Sequence, residues 1–329
     1  MTRYYAAQKR ELRRNWKSFA AVFITTALLI AFVLGLSKTF SPAKFFGRSK
    51  WDSRSSFSAV LFTKPLSVMI VASDPKSMIV MAIDDQASFP SGKSQRPLVK
   101  LGDVENRGNP SAVNAVVSDI FGAKIDNYIS FKNATNIDGG STKQFFKNFA
   151  SLPTFFSILI KGTGGWVEKT NITRVDMIKL WWQLKGFSID NVKFNDFSAN
   201  YENIIDGQGK SIVGFDREFL HREASKYLEN RDISQKGGKV KIINASGYTG
   251  AGQLASQMAS AVGYNVVRLE SQDALQTSCR VQSESNDYPS QYLANLFNCD
   301  IFSMPKGDNS GDLTMTVGVD FAKNYLDSL

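Results

Sequence analysis

Few residues in this chain have the type and spacing to do chemistry. His221 is the single histidine of 329 residues, so no Ser–His or Cys–His relay can be argued from it, and it reads as a surface side chain. Asp84-Asp85 offers two carboxylates to a cation, but neighbours on a strand point to opposite faces. Gly209-Lys210-Ser211 has the ending of a phosphate-binding loop, yet Ile204 stands where the earlier glycine belongs. Arg217 and Arg222 are five apart on an expected helix, so they do not share a face that could clamp a phosphate. Gly250-Ala-Gly252-Gln-Leu-Ala255 fits the dinucleotide pattern, with Glu270 at the end of the next strand. Residues 245–249 separate that glycine from its strand, however, and about 60 residues follow Leu269, too few to complete the nucleotide-binding sheet. A structural loop with close helix–strand packing is the expectation there, with no cofactor. Asn133-Ala-Thr and Asn171-Ile-Thr match the glycosylation sequon.

Cys279 and Cys299 are the only cysteines. They can form a disulfide in an oxidising compartment or remain two thiols, and spacing alone leaves both open. Two sulfurs without further ligands make no zinc site.

Residues 18–37 read SFAAVFITTALLIAFVLGLS, without a charge, between Lys17 and Lys38. As an α-helix this run spans about 30 Å, the hydrocarbon thickness of a bilayer. It is longer than the apolar core of a signal peptide, and Gly35-Leu36-Ser37 is a poor cleavage site, so an uncleaved anchor is expected. Six Lys/Arg precede it (Arg3, Lys9, Arg10, Arg13, Arg14, Lys17). Lys38, Lys44, Arg48 and Lys50 follow. That bias puts the N-terminus in the cytoplasm and the bulk of the chain outside, as a single-pass protein of the cell membrane. The formal charge of +9 is confined to this region. Of 39 basic and 30 acidic residues, 12 and 2 lie within residues 1–65, leaving 27 and 28 for the rest. The remainder lacks the basic surface that nucleic acid needs, so no nucleic-acid partner is expected.

The expected order is a basic tail (1–17), a transmembrane helix (18–37), a juxtamembrane linker (38–56), an α/β domain (57–232), a flexible linker (233–238) and a small α/β or α+β domain (239–329). Short apolar runs at 57–62, 67–72 and 78–83 are parted by Lys-Pro and Asp-Pro turns and read as buried strands. Asn109-Pro110 opens a helix with the stripe Val113, Val116, Val117 and Ile120, ended by Gly122. Residues 125–131 follow as a strand and 142–149 as a helix. Thr173-x-x-Asp176 is a capping box for a helix carrying Val175, Ile178, Trp181, Trp182 and Leu184, which stops at Gly186. Asp216 caps another helix to about Leu228. In the second domain the expectation is strand 240–244, helix 252–262, strand 265–269, a helix from Pro289 through Phe297, and strand 313–317.

The residues Lys239-Val-Lys-Ile-Ile-Asn-Ala-Ser-Gly247, Gly250-x-Gly-x-Leu-Ala255 and Val262-Gly-Tyr-Asn-Val-Val267 resemble the LytR C-terminal domain of cell-envelope proteins. The closing Val317-Gly-Val-Asp320 resembles that family's last strand. Ile70-Val-Ala-Ser-Asp-Pro-Lys76, Ile125-Asp-Asn-Tyr128 and Lys169-Thr-Asn-Ile-Thr173 are similar to segments of the LytR-CpsA-Psr family. A single anchor before two such domains is also that family's layout. The resemblance implies a mixed-sheet α/β domain of reduced LytR-CpsA-Psr type. It also implies an extracytoplasmic enzyme that moves lipid-diphosphate-linked glycopolymer onto peptidoglycan with arginines and Mg²⁺. The family's Ile-Pro-Arg-Asp falls on Ile83-Asp84-Asp85-Gln86 here, and the later arginine-rich signature is missing. One charge pair at 5 Å in an effective dielectric of 20 is worth roughly 3 kcal/mol, so Asp85 in place of arginine swings the interaction by about twice that against phosphate. No catalytic residue carries over.

The expected function is therefore a non-catalytic binding or scaffolding module for wall glycopolymer, peptidoglycan or envelope proteins. The rival is a diverged Mg²⁺-dependent phosphotransferase with relocated basic ligands such as Arg96, Arg107 or Lys143. A membrane-bound regulator of transcription is a third reading, with only about seventeen residues before the helix to meet DNA.

Overall fold

The computed structural model describes residues 48–86, 88–89, 99–106, 108–133, 136–197, 201–205, 209, 211–236, 238–303 and 313–327. The expected transmembrane helix lies outside these residues. Among them, no helix is long and apolar enough to cross a membrane. From Lys50 to Leu329 the chain clusters as one compact unit.

Three apolar runs form the centre of a six-stranded sheet: β1 (Phe57–Phe62), β2 (Ser67–Ala72) and β3 (Ser77–Ala82). They pair antiparallel in sequence. β6 (Asn127–Phe131) adds parallel to β1, β7 (Val167–Thr170) antiparallel to β6, and β8 (Val192–Asp196) parallel to β3, giving the order β7-β6-β1-β2-β3-β8. Alternate side chains of a strand face opposite ways. Here Val60, Val68, Ile70, Ile79 and Met81 enter one core, while Ala59, Leu61, Met69, Val71, Met78 and Val80 enter another. Both faces need cover, which is why these strands read as continuous apolar runs rather than alternating ones.

The first core is closed by α1 (Leu101–Asn106), α2 (Pro110–Phe121) and α6 (Arg217–Leu228). The Asn109 side chain accepts from Ser111 N, Pro110 begins α2, and Gly122 ends it at φ 55°. Val113, Val116, Val117 and Ile120 are buried as the stripe requires. The second core is closed by α3 (Gly139–Phe149), α4 (Leu152–Lys161) and α5 (Arg174–Lys185), with Trp51.

α3 starts three residues before the expected position, because Asp138 and Ser141 form a capping box over Gly139-Gly140. The buried side of α5 is Asp176, Met177, Leu180, Trp181 and Leu184, and Trp182 is 72% exposed. The expected stripe is thus rotated. Thr173 Oγ1 accepts from Asp176 N at 3.1 Å as a cap should, but the Asp176 carboxylate receives the backbone N–H groups of Lys50 (2.9 Å) and Trp51 (3.4 Å). A second, smaller sheet contains β4 (Ser88–Phe89), β5 (Val99–Lys100), β9 (Tyr201–Ile205) and β10 (Ser211–Phe215), in the order β5-β4-β10-β9.

The expected flexible linker instead holds α7 (Arg231–Gln235), whose Ile233 is fully buried in a third core. That core lies under a five-stranded sheet, β12-β11-β15-β13-β14. Its strands are β11 (Lys239–Asn244), β12 (Asn265–Ser271), β13 (Arg280–Ser283), β14 (Asp300–Ser303) and β15 (Leu313–Val317). Its helices are α8 (Ala251–Ala261), α9 (Tyr288–Phe297) and α10 (Val319–Tyr325). α10 occupies part of the segment expected to close the domain as a strand. Gly318 permits the tight passage from β15 into α10, since a Cβ there would sit 2.7 Å from the Ser278 carbonyl carbon.

Candidate functional site

The residues aligned with the chemistry of the resembled family lie in the turn after β3, not on the strand. Ile83 N donates to Leu66 O, ending the pairing, and the chain turns at Asp84-Asp85-Gln86. Asp84 Oδ1 accepts from Gln86 N at 2.7 Å, an Asx-type turn. Gln86 Nε2 donates to Asp85 Oδ1 at 3.2 Å, and Lys100 Nζ donates to Gln86 Oε1 at 3.5 Å. Asp85 O accepts from Gly102 N at 2.8 Å, so the first turn of α1 is seated on the Asp85 backbone. A Cβ at Gly102 would come within 3.2 Å of that oxygen, and the close approach favours glycine there.

One turn along α1, Glu105 faces the same place. Burial raises its pKa above 4.5, the Asp85 charge raises it further, and Lys64 pulls it back. Lys64 is held at the end of β1 by a bridge to Asn136. Of the described residues, Asp85 and Lys64 thus act on Glu105 in opposite directions. Among the described residues, no group of three or more His, Cys, Asp or Glu side chains is placed to hold a metal ion.

Lys143 is exposed on α3, which covers the opposite face of the sheet from α1, so it does not join Asp85. Arg96 and Arg107 lie outside the described residues. His221 is half-buried, its Nδ1 3.0 Å from Phe121 O, where it covers the last turn of α2. Arg217 pairs with Asp119 at 2.9 Å, and burial raises the Asp119 pKa while Arg217 opposes it. Arg222 sits over the Phe219 ring at 5.6 Å. Gly209, at φ 80°, lies in the connection of the β9–β10 hairpin.

The loop before Gly250 is tied by bonds among its own residues, and the Tyr248 hydroxyl donates outward to Asp327 at 3.2 Å. Asn244 Oδ1 accepts from Ser246 N and Ser246 Oγ, Asn244 Nδ2 donates to Tyr248 O, and Tyr248 N donates to Ser246 Oγ. A Cβ at Gly252 would lie 2.9 Å from Leu269 Cδ1 and 3.0 Å from Asn244 Cβ, so close packing of α8 on β11 and β12 accounts for that glycine. Cys279 and Cys299 are bonded, with Cα atoms 4.6 Å apart. They stand immediately before β13 and β14, whose parallel pairing starts at Arg280 and Asp300.

Residues 125–128 and 169–173 perform a joining role that the sequence did not announce. Asn171 Nδ2 and Asn114 Nδ2 each donate to Asp126 O at 2.7 Å, and Tyr128 N donates to Asn171 Oδ1 at 2.9 Å. The Asp126 carboxylate receives Tyr325 Oη at 2.7 Å and Lys124 Nζ at 2.9 Å. Burial and then Asp126 push the Tyr325 hydroxyl well above its ordinary pKa. The sole signal was the run of short polar residues beside strand ends.

No protein-family profile and no curated protein matches this sequence. Solved structures similar to it include TagV of B. subtilis, at 11% identity and TM-score 0.39 over 53% of this chain and 98% of that one. Another is the LytR-CPS2A-psr family protein YwtF (TagT), solved with bound octaprenyl pyrophosphate lipid. It is 11% identical over 54% of this chain and 92% of that one, with TM-score 0.35. Protein gbs0355 of Streptococcus agalactiae is 10% identical over 55% and 91%, with TM-score 0.39. The mixed α/β chain is thus similar to LytR-CpsA-Psr structures over about half its length. Likeness at this level concerns the chain trace and assigns no residue a role.

Proposed function

We propose that this chain is a membrane-anchored, extracytoplasmic envelope protein that binds wall glycopolymer through its glycan, without transferring it. The observation that supports the reading is Asp85, in the turn after β3, acting on the partly buried Glu105. Burial and then the Asp85 charge raise the pKa of Glu105 while Lys64 lowers it, so Asp85 itself disfavours a further negative charge beside it. Phosphoryl transfer depends on cationic groups that stabilise the equatorial oxygens, and Asp85 brings the opposite charge where the resembled family's motif has an arginine.

The test uses the full chain in proteoliposomes with prenyl-diphosphate-linked glycan and peptidoglycan, with and without Mg²⁺. Saturable glycan binding with no release of prenyl phosphate is expected. Transfer to peptidoglycan that depends on the added protein would overturn the reading in favour of a phosphotransferase.

A further inference from the structure

α4 has the wrong outside for a solvated helix. Its sequence LPTFFSILIK carries a single charge, Lys161. Thr154 and Ile158 are buried against the second core, and the opposite side shows Leu152 (55% exposed), Phe156 (57%) and Ile160 (73%). These three are four residues apart, so they form one stripe along the helix. A surface helix normally presents polar residues there.

A chain of ring contacts, passing through the buried Trp181, links the stripe to the exposed Trp182 of α5. Phe156 packs on Phe155 with centroids 5.7 Å apart, Phe155 on Trp181 at 4.5 Å, and Trp181 on the exposed Trp182 at 6.1 Å. Lys161 and Lys185 close the last turns of the two helices. Residues 139–161 contain no Asp or Glu, while Lys143 and Lys147 are exposed on α3. The one carboxylate of α5, Asp176, is buried and occupied.

The entry of the chain falls beside this stripe. Lys50 N and Trp51 N are held by Asp176, and Lys179 Nζ donates to Trp51 O at 2.6 Å. Trp182 is three residues beyond Lys179, its neighbour on the helix surface. Only residues 38–49 separate that point from the apolar run ending at Ser37. Fully extended they reach no more than about 45 Å.

We infer that the face formed by Leu152, Phe156, Ile160 and Trp182 docks on the outer surface of the bilayer that holds residues 18–37. The inference rests on reading that run as a membrane segment. Tryptophan and phenylalanine flanked by lysine suit the headgroup boundary, where the rings enter the apolar edge and the ammonium groups meet anionic lipid. The short tether keeps the local lipid concentration high, so a patch of modest size suffices. Docking presses α3, α4 and α5 to the membrane and turns α6, on the other side of the six-stranded sheet, away from it.

The full chain is reconstituted in phosphatidylcholine–phosphatidylglycerol vesicles with a nitroxide at one introduced cysteine, since Cys279 and Cys299 are bonded to each other. Leu28→Cys reports the apolar segment, Ile160→Cys and Phe156→Cys the stripe, and Lys226→Cys the exposed side of α6. Accessibility to oxygen relative to a water-soluble nickel chelate is expected to be at least threefold higher at 156 and 160 than at 226. A Leu28 label in hydrocarbon with the Ile160 label as open to nickel as the Lys226 label sinks the docking and leaves the anchor standing. A Leu28 label in water removes the anchor, and the docking with it. Shielding of Ile160 from both reagents shows a protein neighbour instead of lipid and overturns the inference.

Discussion

Burial, and after it the Asp85 charge, disfavour the ionised form of Glu105. Its folded pKa is raised above 4.5, so the folded state holds the proton more tightly than the unfolded chain does. The cost is absent below the unfolded pKa, grows as pH rises through the window up to the folded value, and is full at neutral pH. Glu105→Gln is therefore expected to raise the melting temperature at pH 7, with the gain fading by pH 4 in a series of thermal melts. An unchanged melting temperature at both pH values would mean that neither burial nor the Asp85 charge disfavours ionised Glu105 in the folded chain. The sequence showed Asp84-Asp85 but set them on a strand, because the apolar run gives no sign that pairing stops at Ile83. Glu105 was invisible as a partner. It lies twenty residues on, and only the seating of Gly102 on Asp85 O brings it back.

Elements with local instructions were legible. Asn109-Pro110 and Gly122 bound α2, Asp216 caps α6, and 57–62 is β1. α4 escaped notice because periodicity needs polar positions to mark a face, and LPTFFSILIK has almost none. On α5, two adjacent tryptophans could not both face inward, and the sequence could not say which did. Trp181 went in, with its Nε1 donating to Ser151 O at 3.0 Å. Between β13 and β14 the disulfide closes a loop whose ends are 20 residues apart. Loop-closure entropy of that length corresponds to about 3 kcal/mol. Cys279→Ser with Cys299→Ser is expected to lower the unfolding free energy by that order in urea titration under oxidising conditions. A change below about 1 kcal/mol would show that the reduced, unfolded chain already keeps the two ends close.

The two α/β lobes were readable as separate patterns, but their union was not, since it is made by side chains far apart in sequence. Ala261 of α8 enters the first core, and Asn230 Nδ2 donates to Tyr288 Oη, which reaches Asp52 at 3.2 Å. On another edge Tyr325 and Lys124 meet at Asp126. Calorimetry of the intact chain is accordingly expected to give one unfolding transition for both lobes. Asp126→Ala is expected to broaden or divide it, because the Tyr325 contact that joins the lobes at this edge, and the Lys124 contact beside it, would be lost. Two resolved transitions in the unaltered chain would argue for lobes that are stable on their own. The wall ligand, the disulfide and the lipid contact all require that the folded part face outward while the basic tail stays inside. Labelling of intact cells with a membrane-impermeant maleimide tests this most directly, using Asp273→Cys on the C-terminal lobe and Gln8→Cys in the tail. The account predicts that Asp273→Cys reacts before lysis and Gln8→Cys only after it. The reverse order, or reaction of Asp273→Cys only after lysis, would contradict it.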